Sequence, residues 1–376
     1  MGFAVISRLF RKAGNTILRP KTSHSHHIYT STIRQETAYL DGLKGLAGIV
    51  IILCNIGQAV GHEWTRGSGF GLPLSYVATG YVLSLKPLQH IQKEEWTELL
   101  ATVTSRTFRR VLRIYLPAVV ATFIAACCTR FSLFDYTNGF QRPTIRTTRS
   151  WSEQLYHLYR EDSNFLHISR WKQVWPTYIR ALWTLQTMMR GPLVLFLTTV
   201  GLSRARRDIR CLAIAALMLS SYHANQLEIM SMMGGLIVAD LHIANREQVD
   251  GLKLKNIKQL APWESGIIFI SRVSLVTSAI ILSLPVCSRR TFSLCSVMPK
   301  GRTDLGQSVA AMLLVWSIGQ SAKMRTLVTW QLLQLSSDLS YSAYLVHGPV
   351  RKSTFFNVSS VHEVECFLTY ILKLIK

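Results

Sequence analysis

Acidic side chains are scarce in this 376-residue sequence, with 20 Asp and Glu against 42 Lys and Arg. Charge of either sign is thin, at 16% of residues, where soluble globular domains carry about 25%. With a mean hydropathy of +0.22, the chain cannot be covered by water on all sides, and much of its surface must meet lipid. The net charge of +22 invites a nucleic-acid reading, but Lys and Arg lie between apolar runs rather than along one face. No nucleic-acid partner is therefore expected, and the cations read as membrane topology signals. Cysteine is sparse too. Cys54, Cys127, Cys128, Cys211, Cys287, Cys295 and Cys366 are scattered, mostly inside apolar runs, without CxxC spacing or matching His pairs. Buried, inert thiols are the reading, with no metal site. Walker A, GxGxxG, HExxH and GxSxG patterns are all missing. Nucleotide hydrolysis, dinucleotide redox chemistry and serine-hydrolase chemistry thus lack their usual residues.

What the sequence has instead is long charge-free runs. A spanning helix needs about 20 mostly apolar residues. Windows 45–61, 67–85, 114–129, 191–203, 211–227, 273–288, 305–322 and 339–350 reach or approach that length. Segment 181–189 extends the fourth across Arg190, 326–337 extends the last across Asp338, and 229–239 is a further candidate between Glu228 and Asp240. None shows the alternation of a barrel strand. The expected fold is all-α, a polytopic transmembrane helical bundle of about 8–9 spans.

The organisation reads as a basic cytosolic tail over 1–39, a transmembrane domain over 40–350 and a carboxyl-terminal tail over 351–376. The first segment carries Arg8, Arg11, Lys12, Arg19, Lys21, Arg34 and a cluster of His24, His26 and His27. Its lack of acids before Glu36 leaves a mitochondrial transit peptide as the alternative. With the amino terminus in the cytosol, Arg106, Arg109, Arg110 and Arg113, then Arg204 to Arg210, Lys253 to Lys258, and Lys323 with Arg325, all fall on the cytosolic side. Segment 130–180 and the pair Arg289 and Arg290 are basic but lumenal in this scheme. The predicted location is an integral, multi-pass protein of an endomembrane or the plasma membrane.

In the first window, Lys44 precedes Asn55 by eleven residues. At about 100° per residue this places both on one helix face, roughly 16 Å apart. They either line a buried groove or serve separately, Lys44 reaching the headgroups and Asn55 bonding a neighbouring helix. His62 follows Lys44 by eighteen residues and shares that face if the helix continues past Gly57 and Gly61. His347 lies alone in an apolar run. Arg190 and Arg272 are intramembrane cations, which need a partner or a cavity. Arg106, Arg109, Arg110 and Arg113 are spaced to gather along one helix surface, where they can grip phosphates or lipid headgroups.

The stretch YLDGLKGLAGIVIIL resembles the opening of acyltransferase 3 proteins, in which a basic residue is followed, with ten residues between, by a His. Further stretches match that family in order: TGYVLS (Thr79, Tyr81), RTFRRVLRIYLP, LWTL (Trp183), MMGGLIVADL and LSYSAYLVHGPV (His347). Their flavour is that of the fungal branch. The resemblance implies a membrane-bound transferase that moves an acyl group from acyl-CoA, a co-substrate rather than a bound cofactor, to a hydroxyl of a sugar, lipid or small metabolite. It places Lys44 in the donor-positioning role. It places Asn55 where the family has its His, and Met188 where the fungal pattern has a Glu. An amide does not accept a proton near neutrality, so His62 or His347 is left to serve as general base. The implied substrate-binding residues are Thr79, Tyr81, Trp183, Arg190 and the four arginines, with membrane lipids, the acyl donor and the hydroxyl-bearing acceptor as partners. A family member that folds without transferring anything, or a transporter, is the alternative reading.

Overall fold

A computed structural model describes residues 37–53, 70–131, 150–166, 176, 178, 179, 182–254, 266, 270–278 and 303–352, with the backbone alone for 165–166, 246–254, 303–304 and 346–352. Among these residues there are helices and no strands. In chain order they are α1 (37–53), α2 (Gly71–Gln92), α3 (Trp96–Arg130), α4 (Trp151–Leu166), α5 (Trp183–Gly201), α6 (Arg207–His223), α7 (Leu227–Leu254), α8 (270–278), α9 (Thr303–Gln320), α10 (Ala322–Val328) and α11 (Gln331–Lys352).

The all-α expectation holds for the described residues. Among the described residues two helices are long and apolar enough to cross a membrane, Trp96–Arg130 and the Leu227–Asn245 part of α7. On α3 the large side chains Phe108, Leu112, Leu116, Phe123 and Ile124 are all exposed. A stripe of that kind suits hydrocarbon better than water.

The helices overrun the charge-free windows. The long helix α3 begins at Trp96 rather than near Ile114, so the arginine run sits inside it. Helix α2 continues past Lys86 and Pro87, α5 runs through Arg190, and α7 passes Asp240. The last window does continue across Asp338, as α11 runs through that residue, but only from Gln331; residues 326–328 belong to the short α10, which stops at Thr329. Segment 130–180 contains α4.

Close packing at small residues holds the bundle. Gly80 of α2 lies on the Met232 carbonyl of α7, and Gly235 of α7 lies on the Val77 carbonyl of α2, so a side chain at either position would strike backbone. Such mutual contact brings two helix axes together where lipid supplies no hydrophobic drive. On α1, Gly42, Gly45 and Gly48 form one small-residue face against Val328, Leu333 and Ser340. Buried Asp240 on α7 ties down α6 by accepting hydrogen bonds from Arg210, at 3.0 Å from Nε and 2.8 Å from Nη2. One apolar core gathers α1, α2, α7 and α9; a second gathers α3, α5 and Leu345 of α11.

Candidate active site

Helices α2, α3 and α5 each carry an internal proline, and two of these prolines explain where the arginines go. Proline has no N–H, so the carbonyl four residues earlier loses its helical donor. In α2, Pro87 frees the carbonyl of Leu83; Arg106 Nη1 donates to it at 3.0 Å and to Val82 O at 3.4 Å. In α5, Pro192 frees the carbonyl of Met188, and Arg110 donates to it from Nε and Nη2, each at 3.3 Å. Arg106 and Arg110 are one turn apart on α3, which lies against both α2 and α5. In α3 itself Pro117 frees the carbonyl of Arg113, and one residue on, Tyr341 Oη of α11 donates to Ile114 O at 2.6 Å. In α2 and α5 the carbonyl that proline frees is thus taken by an arginine of α3.

Those bonds position the candidate residues. Lys44 reaches Asp41 at 3.7 Å and lies near enough to Arg110 and Arg113 to feel their charges. Three cations from α1 and α3 therefore converge, although Lys44 is more than sixty residues from either arginine in sequence. Arg113 is exposed. Arg109 is exposed as well, donating to Ser105 Oγ from Nε at 3.1 Å and Nη2 at 2.6 Å. Of the four arginines, Arg106 is the one turned furthest toward a structural bond, since α2 carbonyls occupy it.

Beyond Arg110, α2, α5 and α11 bring together a buried cluster of polar side chains. Thr187 Oγ1 donates to Thr184 O at 2.7 Å, so it accepts from Tyr76 Oη at 2.8 Å. Thr184 Oγ1 donates to Tyr344 Oη at 3.3 Å, which brings α11 onto the LWTL segment. Arg190, only 4% exposed, donates from Nη2 to Gln186 Oε1 at 3.3 Å and feels the charge of Glu228 on α7. An ionised group so deep needs such company. Trp183 opens α5 and is half-buried beside this network.

The other expected site residues lie elsewhere. Thr79 is half-buried on α2. Tyr81 is buried with its ring edge-on to His242 of α7, centroids 6.0 Å apart. His347 is carried by the backbone of α11, three residues after Tyr344. Asn55 and His62 lie outside the described residues, and Arg272 is exposed on α8. Among the described residues no group of three or more His, Cys, Asp or Glu is placed to hold a metal ion.

Tyr76, Tyr115, Gln186, Glu228 and Tyr344 were not legible as site residues from spacing alone, because they come from five helices. A signal for the arginines did exist: an internal proline predicts an orphan carbonyl four residues back, and a nearby basic helix predicts what takes it.

The sequence pattern of the acyltransferase 3 family, an acyltransferase domain, matches residues 37–355. The chain is similar to the O-acetyltransferase PaAT-1 of Phomopsis amygdali, 25% identical over 89% of this chain and 76% of that protein. It is also similar to the acyltransferase clz18 of Cochliobolus lunatus, at 22% over 83% and 82% of the two chains. A third relative is the acyltransferase R4 of a Phoma species, at 21% over 78% and 71%. No solved structure matches.

Proposed function

The chain belongs to the acyltransferase 3 family of membrane-bound acyl-transferring enzymes, and from that premise we propose that it moves an acyl group from acyl-CoA to the hydroxyl of a sugar, lipid or small metabolite within a multi-pass bundle. The observation that carries this reading is the nearness of Lys44, Arg110 and Arg113, with Arg110 held on the Met188 carbonyl beside a buried polar cluster. Phosphate groups prefer such clustered cations, since a charge-assisted hydrogen bond is about twice as strong as a neutral one. Arg110 already spends two donors on Met188 O, which fixes its guanidinium and leaves Lys44 and the exposed Arg113 to meet the donor. With the amino terminus in the cytosol, this group of cations faces the compartment that holds acyl-CoA.

The reaction needs little beyond placement and one proton acceptor. The acceptor oxygen attacks the thioester carbonyl carbon, the carbon–sulfur bond breaks, and coenzyme A leaves as the thiol. The proton that it takes up is the one lost by the hydroxyl, relayed by an imidazole. His347 suits the relay because α11 carries it one turn beyond Tyr344, which meets Thr184; His62, eighteen residues after Lys44, is the other imidazole that the sequence spacing offers. Loss of a general base lowers rates by about 10² to 10⁴, so Asn55 and Met188 slow an enzyme without abolishing it if either imidazole serves. The O-acetyltransferase relative makes acetyl-CoA the first donor to try.

The test is acetyl-CoA-dependent transfer in membranes carrying Lys44→Ala, Arg113→Ala or Lys44→Arg. The alanine variants should each raise the half-saturating acetyl-CoA concentration by about tenfold, the loss of one charged hydrogen bond, and Lys44→Arg should restore most of it. Unchanged acetyl-CoA dependence in both alanine variants would remove these cations from the donor site.

A further inference from the structure

Helix α4 is built the wrong way round for a helix lying in water. Trp151, Leu155, Tyr156 and Tyr159 gather on one side of it, because residues four apart share a helix face. That side is the outward one, with the four residues 46%, 48%, 68% and 71% exposed. The opposite side is anchored. Leu158 is buried in the core shared by α3 and α5, and Gln154 Nε2 donates to the buried Tyr178 Oη at 3.0 Å. Exposed Glu153 and Arg160 line one edge of the aromatic face. A single exposed ring is ordinary on a protein surface, but four large side chains together mark a contact with something apolar.

What meets that face follows from where α4 lies. Trp151, at its start, packs edge-on to Phe131 at the far end of α3, ring centroids 6.0 Å apart, and the Arg130 guanidinium lies over the Trp151 ring, 5.5 Å from its centre. Toward the other end of α4, Thr122 Oγ1 donates to Asp162 Oδ2 at 3.4 Å. Helix α4 therefore folds back along the last turns of α3, and its outward face has the same surroundings as theirs. On those turns Phe123, Ile124 and Phe131 are exposed, continuous with the stripe of α3 that suits hydrocarbon. The residue types change between the two helices, from Phe, Ile and Leu on α3 to Trp, Tyr and a single Leu beside Arg160 on α4. Rings with a polar tip are what the headgroup level of a bilayer selects, and a cation there can reach lipid phosphate.

We propose that α4 is seated in the surface of a phospholipid bilayer, with Trp151, Leu155, Tyr156 and Tyr159 turned into the boundary between headgroups and acyl chains. Segment 130–180, which the charge pattern puts in the lumen, thus carries a helix that touches lipid without spanning it. The partner is the bilayer rather than another protein, because the face continues the exposed stripe of α3, and Arg130 and Arg160 bring to its two ends the charge that lipid phosphate pairs with. The proposal does not depend on the transferase reading.

The test uses the full chain reconstituted in phosphatidylcholine vesicles, with Leu155→Trp placing a new fluorophore on the face. Its emission is the difference from the unchanged chain, measured in vesicles with and without lipid brominated near the headgroup end of one acyl chain, and with iodide in the water. Trp151→Phe is the second variant, read as the emission that it removes; if one variant fails to reconstitute, the other decides. Both components should be blue-shifted, should lose most of their intensity in brominated vesicles and should change little with iodide. Emission that iodide quenches would put α4 in water and overturn the proposal. Emission that neither quencher reaches would put protein on the face, and would overturn it as well.

Discussion

Replacing Arg110 by Ala removes both donors from the half-buried Met188 carbonyl, which Pro192, one turn on, cannot serve. A hydrogen bond from a charged group is worth about 1.5–3 kcal/mol net, and the orphaned acceptor carries a cost of the same order. Arg110→Ala should therefore destabilise the protein by about 2 kcal/mol. The proline makes the cause testable. Pro192→Ala returns an N–H to position 192, one helical bond away from the same carbonyl. In that background, Arg110→Ala should cost less than about 0.5 kcal/mol, because the carbonyl already has its donor. The four proteins form a double-mutant cycle, read by unfolding in mixed micelles with SDS and followed by tryptophan fluorescence. The predicted coupling is above about 1 kcal/mol, outside the scatter for independent sites. An equal cost of Arg110→Ala in both backgrounds would show that the arginine acts through something other than the carbonyl that Pro192 frees. Arg106 with Pro87 should show the same sign of coupling through Leu83.

Three further outcomes follow from the packing and charges. Gly235→Val puts atoms on the Val77 carbonyl and, at 2.7 Å from its Cβ, on Tyr81 N; overpacking of this kind costs about 1–3 kcal/mol or more, visible as a lower melting temperature and reduced recovery of folded protein. Asp240→Ala leaves Arg210 buried without its carboxylate, which should cost about 3–5 kcal/mol in the same unfolding assay. On α4, Asp162 has its carboxyl pushed up to about 6 by burial, against a hydrogen bond from Thr122 that favours the charged form. Its folded value lies above the unfolded one, so its stabilising contribution is full below about pH 4 and is lost as pH rises through 6. Asp162→Asn should flatten that stretch of the stability profile and make the protein more stable than the unchanged chain above pH 7; an unchanged profile would show that Asp162 titrates alike in both states.

The helices were legible in the sequence, while their ends were not. Charge-free windows stopped at Lys86, Arg113 and Asp240, yet the helices run through all three, as α5 does through Arg190, where the sequence reading had extended the window. An ionisable residue ends a spanning segment only when nothing inside the bundle answers it. Here Arg190 has Gln186 and Glu228, and Asp240 has Arg210 and Arg207. Glu228, Arg207 and Arg210 come from other helices than the residues they answer, beyond the reach of a local reading, while Gln186 is one turn from Arg190 on α5 itself. The glycines of α2 and α7 read as a Gly-rich flavour in the sequence, whereas their meaning is the approach of two backbones at Gly80 and Gly235.

The candidate site divides in the same way. Lys44 and the arginine run stood out because cations are conspicuous beside apolar runs. The resemblance to the family gave Lys44 its role, and the structure brings it to Arg110 and Arg113. Gln186, Tyr115 and Tyr344 did not stand out, since a Tyr or Gln inside a helix looks like core until its neighbours are known.

Whether this chain transfers acyl groups with the residues it has is tested most directly by labelling from [14C]acetyl-CoA in membranes expressing the unchanged chain, beside Lys44→Ala and the double variant Asn55→His, Met188→Glu. The account predicts label in extracted esters from the unchanged chain, a loss of it in Lys44→Ala at low acetyl-CoA, and a rise in the double variant. Silence in the unchanged chain, with labelling only after Asn55 and Met188 are replaced, would contradict it and mark a family member that folds without catalysing.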